Sequence, residues 1–183
     1  MARQLVDTGG RLLNHVELVY RPGERQRVAA LFRALGCGVI ETGGPYLVVR
    51  VAPDGAGFLH NVLYASEATE AQLRFEEALS EALSNGKLAD AHRGWRDSQL
   101  HEPQRTTHFG LRLASSGELD EILARIEAQP ELGLAVAGVF RPGDPGALSD
   151  TLIQVFLHTE LCAAGLVCLG QHIELQVDLS AAS

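Results

Sequence analysis

Polar and apolar residues alternate along residues 175–179, at the end of the stretch 170–179, where period two puts His172, Glu174, Gln176 and Asp178 on one face and Ile173, Leu175, Val177 and Leu179 on the other. This is a half-buried strand, and one that carries an imidazole and a carboxylate on its non-core face. Similar strand patterns occupy 11–20, where His15, Glu17 and Val19 share a face, and then 39–42, 46–52, 61–65, 106–114, 134–140 and 151–160. Helical spacing replaces alternation at 24–35 (Val28, Leu31, Phe32, Leu35), at 69–83 and at 117–128 (Leu119, Ile122, Leu123, Ile126). Gly36 suits the left-handed position after the first helix. Arg21-Pro22-Gly23, Gly43-Gly44-Pro45, Pro53-Asp54-Gly55, Asn85-Gly86 and Pro130 punctuate the elements. Residues 1–10 read as a polar lead-in, and 87–105 as a polar, irregular connector.

The order strand, helix, three strands is written twice. LLNHVELVY aligns with RTTHFGLRL, His15 over His108, and FLHNVLY aligns with GQHIELQ, His60 over His172 and Val62 over Glu174. The expected fold class is α+β: two βαβββ units, 11–66 and 106–179, joined by a connector with an extra helix at 67–105. Each sheet is curved by strand twist and covered on one face by its helix. Paired, the two units form a cupped, open barrel-like mixed sheet whose concave faces enclose a cavity.

Composition narrows the function classes. Of 183 residues, 46% are hydrophobic and 21% charged, which excludes a disordered chain. A net charge of −8 argues against a nucleic-acid partner, because phosphate binding needs a basic surface. No apolar run has the length of a membrane span, and no signal-peptide pattern opens the sequence. Cys37, Cys162 and Cys168 lack the spacing of a disulfide framework or zinc ribbon, so they read as reduced, mostly buried thiols of a cytoplasmic protein. There is no GxGxxG, P-loop or GxSxG motif. Cys37, flanked by glycines, has nothing beside it in sequence to activate it as a nucleophile.

The repeat places His15, His108 and Glu174 at inward positions of the cavity, with Val62, unable to ligate, at the fourth. Either histidine alone reads equally as an uninvolved strand-end residue. Together, two neutral imidazoles and a carboxylate leave open positions on an octahedral divalent metal, which favours Fe(II) or Mn(II) over a closed zinc site. Zn(II) and Ni(II) come next. The open positions are where a substrate would bind the ion.

The stretches Asn14-His15-Val16, Thr107-His108-Phe109 and Gly170-Gln171-His172-Ile173-Glu174-Leu175 together resemble the vicinal oxygen chelate superfamily, which includes glyoxalase I, extradiol dioxygenases, fosfomycin-resistance thiol transferases and bleomycin-binding proteins. The last stretch is similar to the recurrent Gly-His-x-Ile-Glu-Leu signature. The resemblance implies a paired βαβββ fold and a divalent metal on His15, His108 and Glu174. Val62 disfavours a four-ligand glyoxalase, and the His-His-Glu set is similar to that of the dioxygenases and fosfomycin transferases.

Further candidates surround this set. His158 shares a strand face with Gln154 and Glu160 and suits acid–base chemistry, or else simply ends its strand. His172 reads as supporting the ligands or facing solvent. Glu17 would orient a substrate or a water, and Arg50 an anionic group, a salt bridge being its plainer role. Trp95 pins the connector to the surface, or contacts substrate if the connector lies over the cavity mouth. The expected function is a metal-dependent enzyme on a small oxygen-bearing molecule, dioxygenase-like by preference. A lyase, isomerase or thiol transferase, and a metal-free small-molecule binding protein, are the alternatives. The units pair within one chain or across a homodimer, and either arrangement builds the same site.

Overall fold

The computed structural model describes residues 13–41, 43–44, 46–54, 61–84, 86–163 and 171–179. His60, Cys168 and the lead-in at 1–10 lie outside them. The first unit is β1 (His15–Tyr20), α1 (Arg25–Ala34), β2 (Gly38–Glu41), β3 (Tyr46–Arg50) and β4 (Val62–Glu67). Helices α2 (Glu70–Ala82) and α3 (Gly86–His101) and a 3₁₀ turn at Pro103–Arg105 lead to the second unit. That unit is β5 (His108–Leu113), α4 (Ser116–Glu127), β6 (Ala135–Phe140), β7 (Leu152–Thr159), β8 (Cys162–Ala163) and β9 (Gln171–Asp178).

Both units have the same topology. One sheet runs β2-β3-β4-β1 and the other β6-β7-β9-β5; β1 is parallel to β4, β5 is parallel to β9, and the other pairs within each unit are antiparallel. The expected βαβββ repeat is therefore present, hydrogen-bonded as two open sheets. The short β8 leaves the second unit to pair antiparallel with β1 of the first, a link the alternation pattern of so few residues does not announce.

Apolar faces explain the packing. Leu18 and Tyr20 of β1, Leu47 and Val49 of β3, and Leu63 and Ala65 of β4 meet Val28, Leu31 and Phe32 of α1. Leu111, Leu113, Ile153, Val155, Leu157, Ile173, Leu175 and Val177 meet Leu119, Ile122 and Ile126 of α4 in the same continuous core. Helix α1 ends as expected, with Gly36 at φ 83°. Arg125 of α4 donates from Nε to the Ala34 carbonyl at 2.9 Å, satisfying a last-turn oxygen of α1 while joining the units.

Two differences from the sequence reading concern the connector and the caps. Residues 87–101, read as irregular, are helical, because Leu88, Ala91, His92 and Trp95 recur at helical spacing among polar residues. At α4, Ser115 Oγ accepts from Glu118 N at 3.2 Å, and the Glu118 carboxylate accepts from Ala114 N at 2.7 Å, a reciprocal N-terminal cap. Ser115→Ala should lower stability by about 1 kcal/mol, read as a shift in urea midpoint at unchanged slope; no shift would mean that solvent caps this turn equally well.

Candidate active site

The face of each sheet turned away from the core carries the candidate chemistry, and strand register fixes its layout. Across the second sheet the rows are His108, His172, His158; then Gly110, Glu174, Phe156; then Arg112, Gln176, Gln154. Across the first they are His15, Val62, Arg50; then Glu17, Tyr64, Val48; then Val19, Ser66, Tyr46. His108 and His15 thus begin equivalent strands. Val62 corresponds to His172, however, and Tyr64 to Glu174, which corrects the alignment of Val62 with Glu174 by two residues. Matching the histidines His60 and His172 caused the slip, and a slip of two preserves the face, so alternation could not expose it.

Glu174 is only 4% exposed and its two oxygens have different partners. Oε1 accepts from Gln154 Nε2 at 2.5 Å and from Gln176 Nε2 at 2.6 Å. Oε2 lies 3.3 Å from His108 Nε2. His108 Nδ1 is 2.8 Å from the Thr106 carbonyl, which can only accept, so Nδ1 carries a proton. In the neutral ring Nε2 then presents a lone pair to a carboxylate oxygen. Two acceptors so close call for a proton or a cation between them. Beside them Gly110 leaves room: a Cβ there would stand 3.2 Å from Glu174 Oε2.

The spacing of this pair suits two ligands of one divalent ion. Nitrogen and oxygen ligands at about 2.1 Å lie about 3.0 Å apart on an octahedral edge and about 3.4 Å apart in a tetrahedron, and the His108–Glu174 separation falls between. His15 is not part of this pair. It lies exposed on the first sheet, its Nδ1 beside Asn14 Oδ1 and its ring edge-on to Tyr64 at 5.4 Å between centroids. Among the described residues, no three His, Cys, Asp or Glu side chains form a group able to hold a metal ion.

His172, 1% exposed, is buried and not solvent-facing; its Nδ1 is 3.0 Å from Thr106 Oγ1. Burial, then the nearby His158 and His108, push its pKa down to about 4. His158 lies 5.0 Å from His172 between ring centroids, with a buried Nδ1 that has no hydrogen-bond partner among the described residues. Its pKa is also lowered, chiefly by burial, against the opposing pull of Glu160. Both rings are therefore neutral near pH 7, able to accept a proton.

Helix α3 and the segment after it reach the second unit beside this face. Gln104 Nε2 donates to the Gly146 carbonyl at 3.0 Å and approaches Gln154 Oε1 at 3.5 Å, and Arg96 pairs with Glu160 at 2.5 Å. Trp95, 45% exposed, instead lines a groove of about 250 Å³ with Leu79, Leu83, Leu88, Ala91 and His92 between α2 and α3. Glu17 is bonded by the Ser66 hydroxyl on the first sheet, and Arg50 ends β3 across from Val62. Burial pushes the Cys37 and Cys162 thiols up to about 12, so neither is a nucleophile.

Four site residues were not singled out from sequence: Thr106, Gly110, Gln154 and Gln176. Gln154 and Gln176 share their strand faces with His158 and Glu174, and that alternation was the available signal. Gly110 acts through a missing side chain, and Thr106 holds His108 through its backbone carbonyl, neither of which residue type reveals; the Thr106 hydroxyl that meets His172 lies in a turn with no alternation to mark its direction.

No family model matches the sequence, and no curated protein matches it. Among solved structures the chain is similar to the fosfomycin resistance protein FosX from Listeria monocytogenes, at 14% identity over 91% of this chain and 90% of that one, TM-score 0.45. It is similar to a glyoxalase/bleomycin resistance protein/dioxygenase from Alicyclobacillus acidocaldarius, at 11% identity over 92% of each chain, TM-score 0.46. It is also similar to oxidase ChaP-H2, at 16% identity over 92% of this chain and 94% of that one, TM-score 0.44. Its own strand order and register define the architecture: an α+β fold of two βαβββ units, with a buried His-Glu cluster on the second.

Proposed function

We propose that the chain is a divalent-metal-dependent enzyme of the vicinal oxygen chelate type, acting on a small oxygen-bearing substrate, with dioxygenase chemistry preferred. The observation that carries the reading is His108 Nε2 facing Glu174 Oε2 at 3.3 Å, with the other atoms of both groups already occupied. A bound Fe(II) or Mn(II) would supply Lewis acidity toward two adjacent substrate oxygens. The chain's residues do the rest. Gln154 and Gln176 hold Glu174 so that one oxygen is presented, and Thr106 holds His108 so that Nε2 is presented. His158, neutral and buried at Nδ1, takes or returns the substrate's proton.

His15 is the third ligand, and it comes from a second copy in an isologous homodimer. In support, His15 is exposed and its strand is equivalent to that of His108. Glu17 and Arg50, on the face that carries His15, would meet the substrate there. Trp95, in its groove on the connector helices, plays the surface-pinning part.

Protein purified without chelators should hold about one iron or manganese per chain by elemental assay, and His108→Ala should hold none. His15→Ala and Glu174→Gln should each fail alone, while in their co-refolded mixture each heterodimer regains one metal, half a metal per chain, because one of its two sites is intact. A wild type that takes up no iron or manganese removes the enzyme reading; a mixture with no recovery removes the shared site. Oxygen consumption with catechols, against thiol consumption with electrophiles, separates the dioxygenase from the transferase.

A further inference from the structure

The structure assigns Thr106, in the turn before β5, the role of fixing the tautomers of both His108 and His172, one through its carbonyl and the other through its hydroxyl. The carbonyl oxygen is 2.8 Å from His108 Nδ1 and the hydroxyl oxygen is 3.0 Å from His172 Nδ1. A carbonyl cannot donate, so His108 Nδ1 does. The hydroxyl has one proton, and at 2.7 Å it donates this to the Pro103 carbonyl. Toward His172 it is therefore an acceptor, and His172 Nδ1 is the donor. Both imidazoles are set with the proton on Nδ1, so that Nε2 of each is the atom turned away from Thr106.

The consequence is directional. His108 and His172 are direct partners across the parallel β5–β9 ladder, so their rings stand side by side on the same face. One residue turns two adjacent rings the same way, as a carboxylate commonly does for a single metal-bound histidine. It does so from the segment in which Pro103 and Gln104 also meet the second sheet: Gln104 approaches Gln154, and a Cβ on Gly138 would stand 3.2 Å from Pro103. Thr106 is a positioning residue. It gives the connector a way to set what the site presents, without itself reaching the His108–Glu174 gap.

The tautomer assignment concerns the metal-free chain and stands whether or not a metal binds; its use in catalysis rests on the proposed function. Long-range proton–nitrogen correlation spectra of metal-free protein, labelled with ¹⁵N-histidine and held near pH 7.5, report which ring nitrogen is protonated. Wild type should show Nδ1–H for both rings. Thr106→Val keeps the carbonyl and loses the hydroxyl, so His172 should shift toward Nε2–H while His108 stays as it was. Thr106→Ser should restore His172. His172 protonated at Nε2 in wild type overturns the inference by itself, which keeps the test decisive if Thr106→Val fails to fold. An unchanged His172 in a folded Thr106→Val protein, or equal shifts at both rings, overturns it too.

Discussion

Glu174→Gln should abolish metal uptake while leaving the metal-free protein about as stable as wild type. The amide keeps the shape of the carboxylate. Its oxygen can take the place of Oε1 and accept from Gln154 and Gln176. Its NH₂ then stands in the place of Oε2, 3.3 Å from His108 Nε2, and donates to that nitrogen, so a hydrogen bond worth about 1 kcal/mol replaces a contact that needs a proton between its two atoms. The same exchange replaces an anionic ligand by a neutral one whose nitrogen has no lone pair to give. Glu174→Ala has the opposite outcome for stability. It leaves the Gln154 and Gln176 amides without their acceptor, Gln154 being buried, and should cost about 3 kcal/mol. Urea unfolding of chelator-treated proteins gives the stabilities, and elemental assay gives the metal. If the glutamine variant is as unstable as the alanine one, the assignment of the two carboxylate oxygens is wrong. If it keeps its metal, Glu174 is not a ligand. A protein that binds small molecules without metal would lose no ligand affinity in Glu174→Gln, so this variant also separates the two function classes.

How much of this was legible in the sequence differs from element to element. Alternation in HVELVY, HFGLRL and QHIELQVD placed β1, β5 and β9, because one face of each strand is committed to the core and a one-residue slip would bury polar groups. The repeat followed from element order. The proximity of His108 and Glu174 followed from the repeat together with face assignment. What alternation leaves open is the step from equivalence to convergence. His15 and His108 hold equivalent places in their units, yet equivalence within a unit does not say how the units meet; that depends on packing between α1 and α4 and on contacts such as Arg125 with Ala34. The Val62 error has a simpler cause, since matching side chains across a divergent repeat outweighed the ladder register, which only hydrogen bonding reveals. Helix α3 was missed because its apolar stripe is narrow and half exposed: Leu88 and Trp95 lie open while Ala89 is buried.

Acid should destabilise the metal-free protein through His172 before the carboxylates titrate. The pKa of His172 is pushed from the ordinary 6.5 to about 4, first by burial and then by His158 and His108, and His158 is shifted in the same direction, again mainly by burial. The unfolded chain takes up a proton on His172 near pH 6.5 while the folded chain refuses it until about pH 4. Between those values the unfolded state holds more protons, so stability falls as pH falls. The contribution is whole above the upper value and gone below the lower. One proton changes stability by about 1.4 kcal/mol per pH unit, so the window for His172 amounts to about 3 kcal/mol. His172→Asn offers a control, because its amide can donate to Thr106 Oγ1 in place of Nδ1 and does not titrate. Urea midpoints measured from pH 7 to pH 4 should fall steeply for wild type and by about 3 kcal/mol less for His172→Asn. Parallel curves would mean that the ring takes its proton in the folded state as readily as in the unfolded one. A buried neutral imidazole could not then be the source of the acid sensitivity.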